Sequence, residues 1–395
     1  MEKLYKIKIY PRINYLTKCP VCKVKMRNLE FVSNGIRNMS RCICPLCKDK
    51  FFVDLPSGQS LYTPLLVNIR TKVVYGDSQP GWYKDPLVNG MNNKIYDRIK
   101  IKKKSNFNSK SVVLFNCLDY LFGHSLLKVF NLYSKEIDYK NCWVIAPIKF
   151  KKYIPNSVGK IWLIDIEMKK NSQWYENINQ QIKAEFLKYE SVFLAVLQSH
   201  PKFNNDVFFE KSDLPTYQEI KKKRITIIYR EDRTWGRGMF MQYVNLMKLI
   251  ILIKKRFKDY QISITGSGKS FNFFNLIEDF RVDETVNEVP DDKWIKIWNE
   301  SICVIGVHGS SLLLPSIYSY SVIELLPNDR FGNLLQDYLF SNKSIKESMF
   351  KYRIVYGNKF LSNVNPTTVF SILKSIIEDK DNFYKIYLVL NVRKN

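Results

Sequence analysis

Short apolar runs, each closed by a polar or glycine turn, recur along this chain. Ser111 to Phe115 opens into Asn116-Cys117-Leu118-Asp119-Tyr120, and Ile225 to Tyr229 into Arg230-Glu231-Asp232-Arg233-Thr234-Trp235-Gly236. Tyr260 to Thr265 closes on Gly266-Ser267-Gly268, and Ile302 to Val307 on His308-Gly309-Ser310-Ser311. Runs of this length bounded by turn residues predict buried strands, with Trp143 to Ala146, Ile161 to Ile164 and Val322 to Leu326 as further members. Stretches of helical period separate them. Phe240 to Phe257 places Tyr243, Leu246, Met247, Ile250, Ile251 and Ile253 along one stripe and predicts an amphipathic helix. Helices are also expected from Gly123-His124 onward, over Gln181 to Ser191, from Pro290-Asp291-Asp292 through Trp298, and over Pro366 to Asp379.

Strands alternating with helices in two successive blocks predict an α/β protein with two Rossmann-like, doubly wound domains. The first spans 61–214, after short strand-like pieces at Leu65 to Ile69 and Val73 to Tyr75. The second spans 215–395, and a ligand cleft is expected between them. This is the GT-B layout. Residues 1–60 read differently and form a separate small module.

That module carries Cys19-Pro-Val-Cys22 and Cys44-Pro-Leu-Cys47. Two Cys-x-x-Cys pairs this far apart suit one tetrahedral zinc, two thiolates from each knuckle, with Gly35 near the middle of an intervening hairpin. The expectation is a zinc ribbon whose closed four-thiolate site is structural and leaves no position for catalysis. Cys42 stands two residues before the second knuckle and is an alternative ligand. Cys117, Cys142 and Cys303 lie in or beside apolar runs and read as core.

Composition adds limits. The chain has 395 residues, 46% hydrophobic and 14% aromatic, which is globular rather than disordered. Its net charge of +25 fits anionic partners: phosphorylated ligands, an anionic membrane face or nucleic acid. The basic runs at Lys102 to Lys104 and Lys221 to Arg224 also read as solvated faces. No signal-peptide core or membrane-length apolar stretch is visible, so a cytoplasmic protein, with peripheral contact to an anionic membrane as an option, is expected.

The strand outlets hold the candidate chemistry. Arg230 and Arg233 leave one strand, and His308, Gly309, Ser310 and Ser311 leave another. In open α/β sheets two such outlets can converge on one ligand, and guanidinium forks suit a diphosphate. Glu324, in the strand that follows, is a carboxylate for ribose hydroxyls or a structural partner of Arg230 or of backbone N–H groups. Asp119 and His124 follow the first clear strand of the 61–214 block, and His124 is the better general base because imidazole titrates near neutrality. His200 reads as a loop residue.

The segment VIGVHGSSLLLPSIYSYSVIELLP resembles the signature of glycosyltransferase family sixty-one: apolar strand, His-Gly-Ala-Gly-Leu, apolar helix, strand ending in Glu. His308, Gly309, Leu312 and Glu324 fit it, while Ser310-Ser311 replaces the usual Ala-Gly. Tyr229-Arg230 with Arg233 is similar to the family's strand-end arginines, and Gly123-His124 to its amino-domain Gly-His motif. The likeness covers roughly 110–330 and has no counterpart for the zinc ribbon. It implies an inverting glycosyltransferase that takes a nucleotide-sugar donor and a glycan or glycoprotein acceptor, with no catalytic metal.

Other signals are weaker. Gly266-Ser267-Gly268-Lys269-Ser270 lacks the first glycine of a phosphate loop, since position 263 is serine, and is expected as a strand-to-helix turn. Asp165-Ile166-Glu167 reads as a strand end rather than an acidic metal motif. Competing readings are a zinc-ribbon nucleic-acid binder, disfavoured because no further nucleic-acid module is present, and a catalytically inactive transferase fold that binds ligands.

Overall fold

The computed structural model describes residues 4–106, 109–133, 136–168, 173–202, 204–215, 222–282, 292–339, 345–379 and 382. The chain divides into two compact units, 1–214 and 215–395.

The first unit opens with β1 (Lys6–Tyr10) and continues into an antiparallel meander: β2 (Arg27–Ser33), β3 (Asn38–Ile43), β4 (Lys50–Asp54), β5 (Leu66–Asn68) and β6 (Val74–Tyr75). Next come α1 (Gly81–Asn92), β7 (Ile101–Ser105), β8 (Ser111–Asn116), α2 (Phe122–Phe130), β9 (Cys142–Pro147), β10 (Lys160–Ile164), α3 (Glu176–Phe186), β11 (Ser191–Ala195) and α4 (Asn205–Lys211). The main sheet runs β1-β11-β8-β9-β10-β7, with β11, β8, β9 and β10 parallel and both edge strands antiparallel.

This sheet is mixed, with four parallel strands between two antiparallel edges. Its edges, KIKIY and IKKKS, expose lysines, which discourage pairing with a foreign strand. The module expected at 1–60 is not a unit of its own. β1 belongs to the α/β sheet, the meander runs on to Tyr75, and Phe31, Ile36 and Leu55 pack into the same core as Trp143, Trp162 and Phe186.

The second unit contains β12 (Arg224–Tyr229), α5 (Gly238–Arg256), β13 (Gln261–Gly266), β14 (Glu278–Asp279), α6 (Asp292–Asn299), β15 (Cys303–Val307), α7 (Leu313–Tyr318), β16 (Val322–Pro327), α8 (Ile345–Lys351), β17 (Tyr352–Gly357) and α9 (Pro366–Glu378). Pro290, Asp291 and Lys221 lie outside the described residues. All six strands are parallel, in the order β14-β13-β12-β15-β16-β17. Counted from β12, that is 3-2-1-4-5-6, the doubly wound dinucleotide-fold order. The four central strands β13, β12, β15 and β16 are buried along almost their whole length, which is why they read as unbroken apolar runs rather than alternating ones.

Helix α5 shows how the core face serves the ligand face. Its buried positions are Leu246, Leu249, Ile250 and Ile253 together with two amides, Gln242 and Asn245. Ile251, expected inside, is exposed. Among the described residues no helix is long and apolar enough to cross a membrane.

Candidate functional site

A 3-2-1-4-5-6 sheet reverses its winding between strands one and four, here β12 and β15, and ligands bind beyond the carboxyl ends at that reversal. Arg230 follows β12 directly, and His308 follows β15. The loop after β12 is clamped from behind. Gln242 Nε2 donates to the Arg230 carbonyl at 2.8 Å, and its Oε1 accepts from Trp235 N at 3.1 Å. Asn245 Nδ2 donates to Trp235 O, and the buried Trp235 indole donates to Val364 O, both at 3.0 Å. Buried amides thus convert helix packing into a fixed path for the loop.

From that path both arginines reach the β15 turn. Arg233 Nη1 donates to His308 O at 2.9 Å, and Arg230 Nη1 lies 3.4 Å from Ser311 Oγ. Asp232 holds the other edge of the Arg230 guanidinium, at 2.9 and 2.5 Å. Gly309 has φ 144 and ψ 170, and a Cβ there would overlap Arg230 Nη1 and crowd Arg233 Nη1. Glycine is required twice over: for the backbone region and for the close approach of two guanidiniums. The N–H groups of Ser310 and Ser311 carry no hydrogen bond among the described residues. Both residues belong to a single 3₁₀ turn, Ser310–Leu312, that leads into the six-residue α7.

Behind the turn lies a buried polar chain. The Tyr352 hydroxyl donates to Glu324 Oε2 at 2.8 Å, and Glu324 Oε1 faces His308 Nδ1 at 2.5 Å. Asp337 Oδ2 accepts from Gly309 N at 2.8 Å and stands 3.3 Å from His308 Nδ1. His308, Glu324 and Asp337 are 3%, 0% and 2% exposed, so Glu324 has both oxygens committed internally. Burial pushes the Asp337 carboxyl up to about 6; Glu324 pushes the same way, and His308 opposes both. These three side chains offer donor atoms within 4.8 Å of one another. The 2.5 Å ring–carboxylate separation is nevertheless that of a hydrogen bond, not of two ligands spread around an ion. With Nδ1 fixed by carboxylates, Nε2 is the ring atom left for a ligand.

No protein-family model matches the sequence, and no curated protein does. Solved structures similar to the chain are glycosyltransferases. E. coli heptosyltransferase WaaC with ADP shares 12% identity, with 69% of this chain and 74% of that one covered, at a TM-score of 0.32. E. coli ADP-heptose LPS heptosyltransferase II shares 11%, with 69% and 99% covered, at 0.39. TarM shares 11%, with 95% and 73% covered, at 0.25.

Sequence reasoning missed Arg330, Asp337 and Tyr352. Burial disfavours the charge on Arg233, and Arg230 and then Arg330 add to the effect by repulsion, so three guanidiniums share one neighbourhood. Arg330 lies in a polar turn at the outlet of β16, the same kind of signal that singled out Arg230. Asp337 and Tyr352 had no such mark.

The glycine-serine loop after β13 differs from its expectation. No helix follows it; a 3₁₀ turn at Phe274–Leu276 and β14 do. Glu231 Oε1 accepts from Ser270 N at 2.9 Å and from Ser270 Oγ at 2.7 Å. A protein carboxylate therefore occupies the seat that a phosphate would need.

In the first unit Asp119 follows β8. Its Oδ2 meets Lys128 Nζ at 2.9 Å, and its Oδ1 lies 3.5 Å from His124 Nδ1. Burial alone would raise the Asp119 carboxyl, but Lys128, then His124, hold it well below the usual carboxylate range. A carboxylate so stabilised is a poor proton acceptor and a good anchor for an imidazole. His200 lies in an exposed loop.

The four knuckle cysteines cluster, their sulfurs all within 4.8 Å, with Cys19 and Cys47 Sγ 3.9 Å apart. Sulfurs about 3.8 Å apart are what a tetrahedral ion with 2.3 Å bonds requires. The two knuckles repeat each other. Lys23 N donates to Cys19 O and Lys48 N to Cys44 O, with φ of 60° and 62° at the two lysines. The residues fit zinc; Cys19, Cys22, Cys44 and Cys47 would hold it, and it would cross-link the meander. Cys42 is outside the cluster, with Sγ 3.2 Å from Asn28 Oδ1.

Proposed function

We propose that this protein is a glycosyltransferase that takes a nucleotide-sugar donor. The observation that carries the reading is the convergence of Arg230 and Arg233 on Gly309, at the point where the 3-2-1-4-5-6 sheet reverses its winding. The resemblance of 302–327 to glycosyltransferase family sixty-one agrees with it.

In this reading the donor diphosphate lies against Arg230 and Arg233, with the Ser310 and Ser311 amides and hydroxyls as further donors. Asp232 is the anion that holds Arg230 until the diphosphate takes its place. His308 presents Nε2 to the diphosphate. Of the two roles expected for Glu324, ribose contact or structural partner, the structural one is favoured: it acts as a positioning residue through His308, and Asp337 does so through Gly309. The transfer forms a bond from the acceptor oxygen to the anomeric carbon as the carbon–oxygen bond to phosphate breaks. The nucleoside diphosphate leaves with the electron pair, and the guanidiniums neutralise the charge it gains. The acceptor hydroxyl loses its proton to a base, a role His124 fits because Asp119 fixes its ring. Attack opposite the leaving group inverts the anomeric centre. A glycan or glycoprotein hydroxyl is the acceptor.

The test is release of nucleoside diphosphate from a panel of UDP-, GDP-, ADP-, dTDP- and CMP-sugars, the last as a monophosphate-leaving control. Hydrolysis or transfer by the wild type, with loss of at least about a hundredfold in His308→Ala, is expected. No turnover of any donor, or an unaffected His308→Ala variant, would sink the reading.

A further inference from the structure

Helix α1 turns one face to a cavity of about 480 Å³, a volume typical of small-ligand sites. Trp82, Asp85, Asn89 and Asn93 line it, spaced three, four and four residues apart, and Gln173 adds a second amide-bearing segment. Gly90 keeps that face low: the helix backbone presses on Trp174, and a Cβ at Gly90 would come within 3.0 Å of the Trp174 Cβ. Trp82 is 45% exposed, although indole is a side chain that folding usually covers. Among the described residues the Trp82 indole N–H and the side-chain amides of Asn89 and Asn93 make no hydrogen bond. One face of the helix and its C-cap residue thus present an uncovered aromatic plane and a row of unspent donors and acceptors.

The chemistry selects a ligand class. No lysine or arginine lines the cavity, so it does not suit a phosphate, a nucleotide or a nucleic-acid backbone. Asp85, Asn89, Asn93 and Gln173 place polar groups along its wall, so it does not suit an acyl chain. A sugar ring offers an apolar C–H face and a rim of hydroxyls that both donate and accept. The indole plane meets the first, and carboxamides with one carboxylate meet the second. At 1.5 Å per residue the lined stretch of helix is roughly 16 Å long, which is enough for several linked sugar rings. The groove also borders the His124 ring, which meets the Trp82 ring edge-on with centroids 6.0 Å apart.

We propose that this groove binds a neutral oligosaccharide, the acceptor, and delivers one of its hydroxyls to the His124 side of Trp82. The acceptor role rests on the transferase reading above; the saccharide site does not. Labelled full-length protein applied to a printed array of neutral oligosaccharides tests it, beside thermal shift of the same preparations with nucleotide sugars. The expected result is binding to one glycan family, weakened at least about tenfold both in Trp82→Ala and in the double variant Asn89→Ala/Asn93→Ala. Both variants keep the wild-type melting temperature and the wild-type response to nucleotide sugar. Absence of binding to every oligosaccharide, or equal binding by Trp82→Ala, overturns the groove. Glycan binding that depends on Trp82, with no stabilisation by any nucleotide sugar, keeps the groove and overturns the transferase reading instead.

Discussion

Replacing Gly309 with alanine perturbs the site at the one atom where its geometry is most exacting. The backbone at φ 144 and ψ 170 is in a region that is essentially glycine-only, and an L-residue there costs about 1–3 kcal/mol. The new methyl must also shift the Arg230 guanidinium and crowd that of Arg233, weakening its bond to His308 O, a further loss of about 1 kcal/mol. The sum, about 2–4 kcal/mol, lowers the melting temperature of a unit this size by roughly 4–16 °C. Differential scanning fluorimetry measures it. Gly332→Ala is the control: a Cβ there meets nothing within 4 Å, and the melting point should move by no more than about 2 °C. Added nucleotide sugar should raise the melting point of the control but not of Gly309→Ala. A Gly309→Ala protein that melts with the wild type and still responds to nucleotide would refute both the strain and the assignment of the arginines.

Two further outcomes follow from the buried groups. Asp337 titrates near 6 in the folded state against an ordinary 3.8, so the fold binds that proton more tightly than the unfolded chain does. Its contribution to stability is complete below about pH 4 and is lost as pH rises through about 6. The stability of Asp337→Asn relative to wild type should therefore climb between pH 4 and pH 7 by up to about 3 kcal/mol; a difference that stays flat over that range contradicts the burial account. The four-cysteine cluster should yield one zinc per chain on metal analysis, released when the thiols are titrated with a mercurial. Cys44→Ser should lose the metal and melt earlier, because Cys19, Cys42 and Cys44 pack with Met26, Phe51 and Val53 in one core. Metal-free protein with an unchanged melting point would remove zinc from the account.

The second unit was more legible in the sequence than the first, for a physical reason. Strands buried on both faces of a parallel sheet are written as unbroken apolar runs, so β12, β13, β15 and β16 stood out within a residue or so of their ends. The antiparallel edges β1 and β7 alternate lysine with isoleucine or run to consecutive lysines, which reads as solvated chain. Helix α1 was hidden by Gly81, Pro86 and Gly90, residues that argue against a helix; here Gly90 lets the helix pack closely on Trp174. Helix α3 ends at Phe186, short of the helix expected over 181–191, and β11 was missed because its first residue, Ser191, read as the end of that helix. Within the site, the arginines and the 308–311 turn were visible as polar breaks at strand outlets. The clamps were not: Gln242 and Asn245 sit on the core face of α5, where a hydrophobic pattern gives no reason to look for them. Glu324 was visible, but its partner Tyr352 comes from the next strand, a contact that only the register of β16 with β17 creates.

The central claim, that Arg230 and Arg233 hold a nucleoside diphosphate at the switch point of the second sheet, is tested most directly by calorimetric titration with UDP, GDP, ADP and dTDP. The account predicts that one of them binds the wild type and that Arg230→Ala and Arg233→Ala each weaken it at least about tenfold, as expected for the loss of a charge-assisted, bidentate contact. Binding of none of the four, or undiminished binding by both arginine variants, would contradict it.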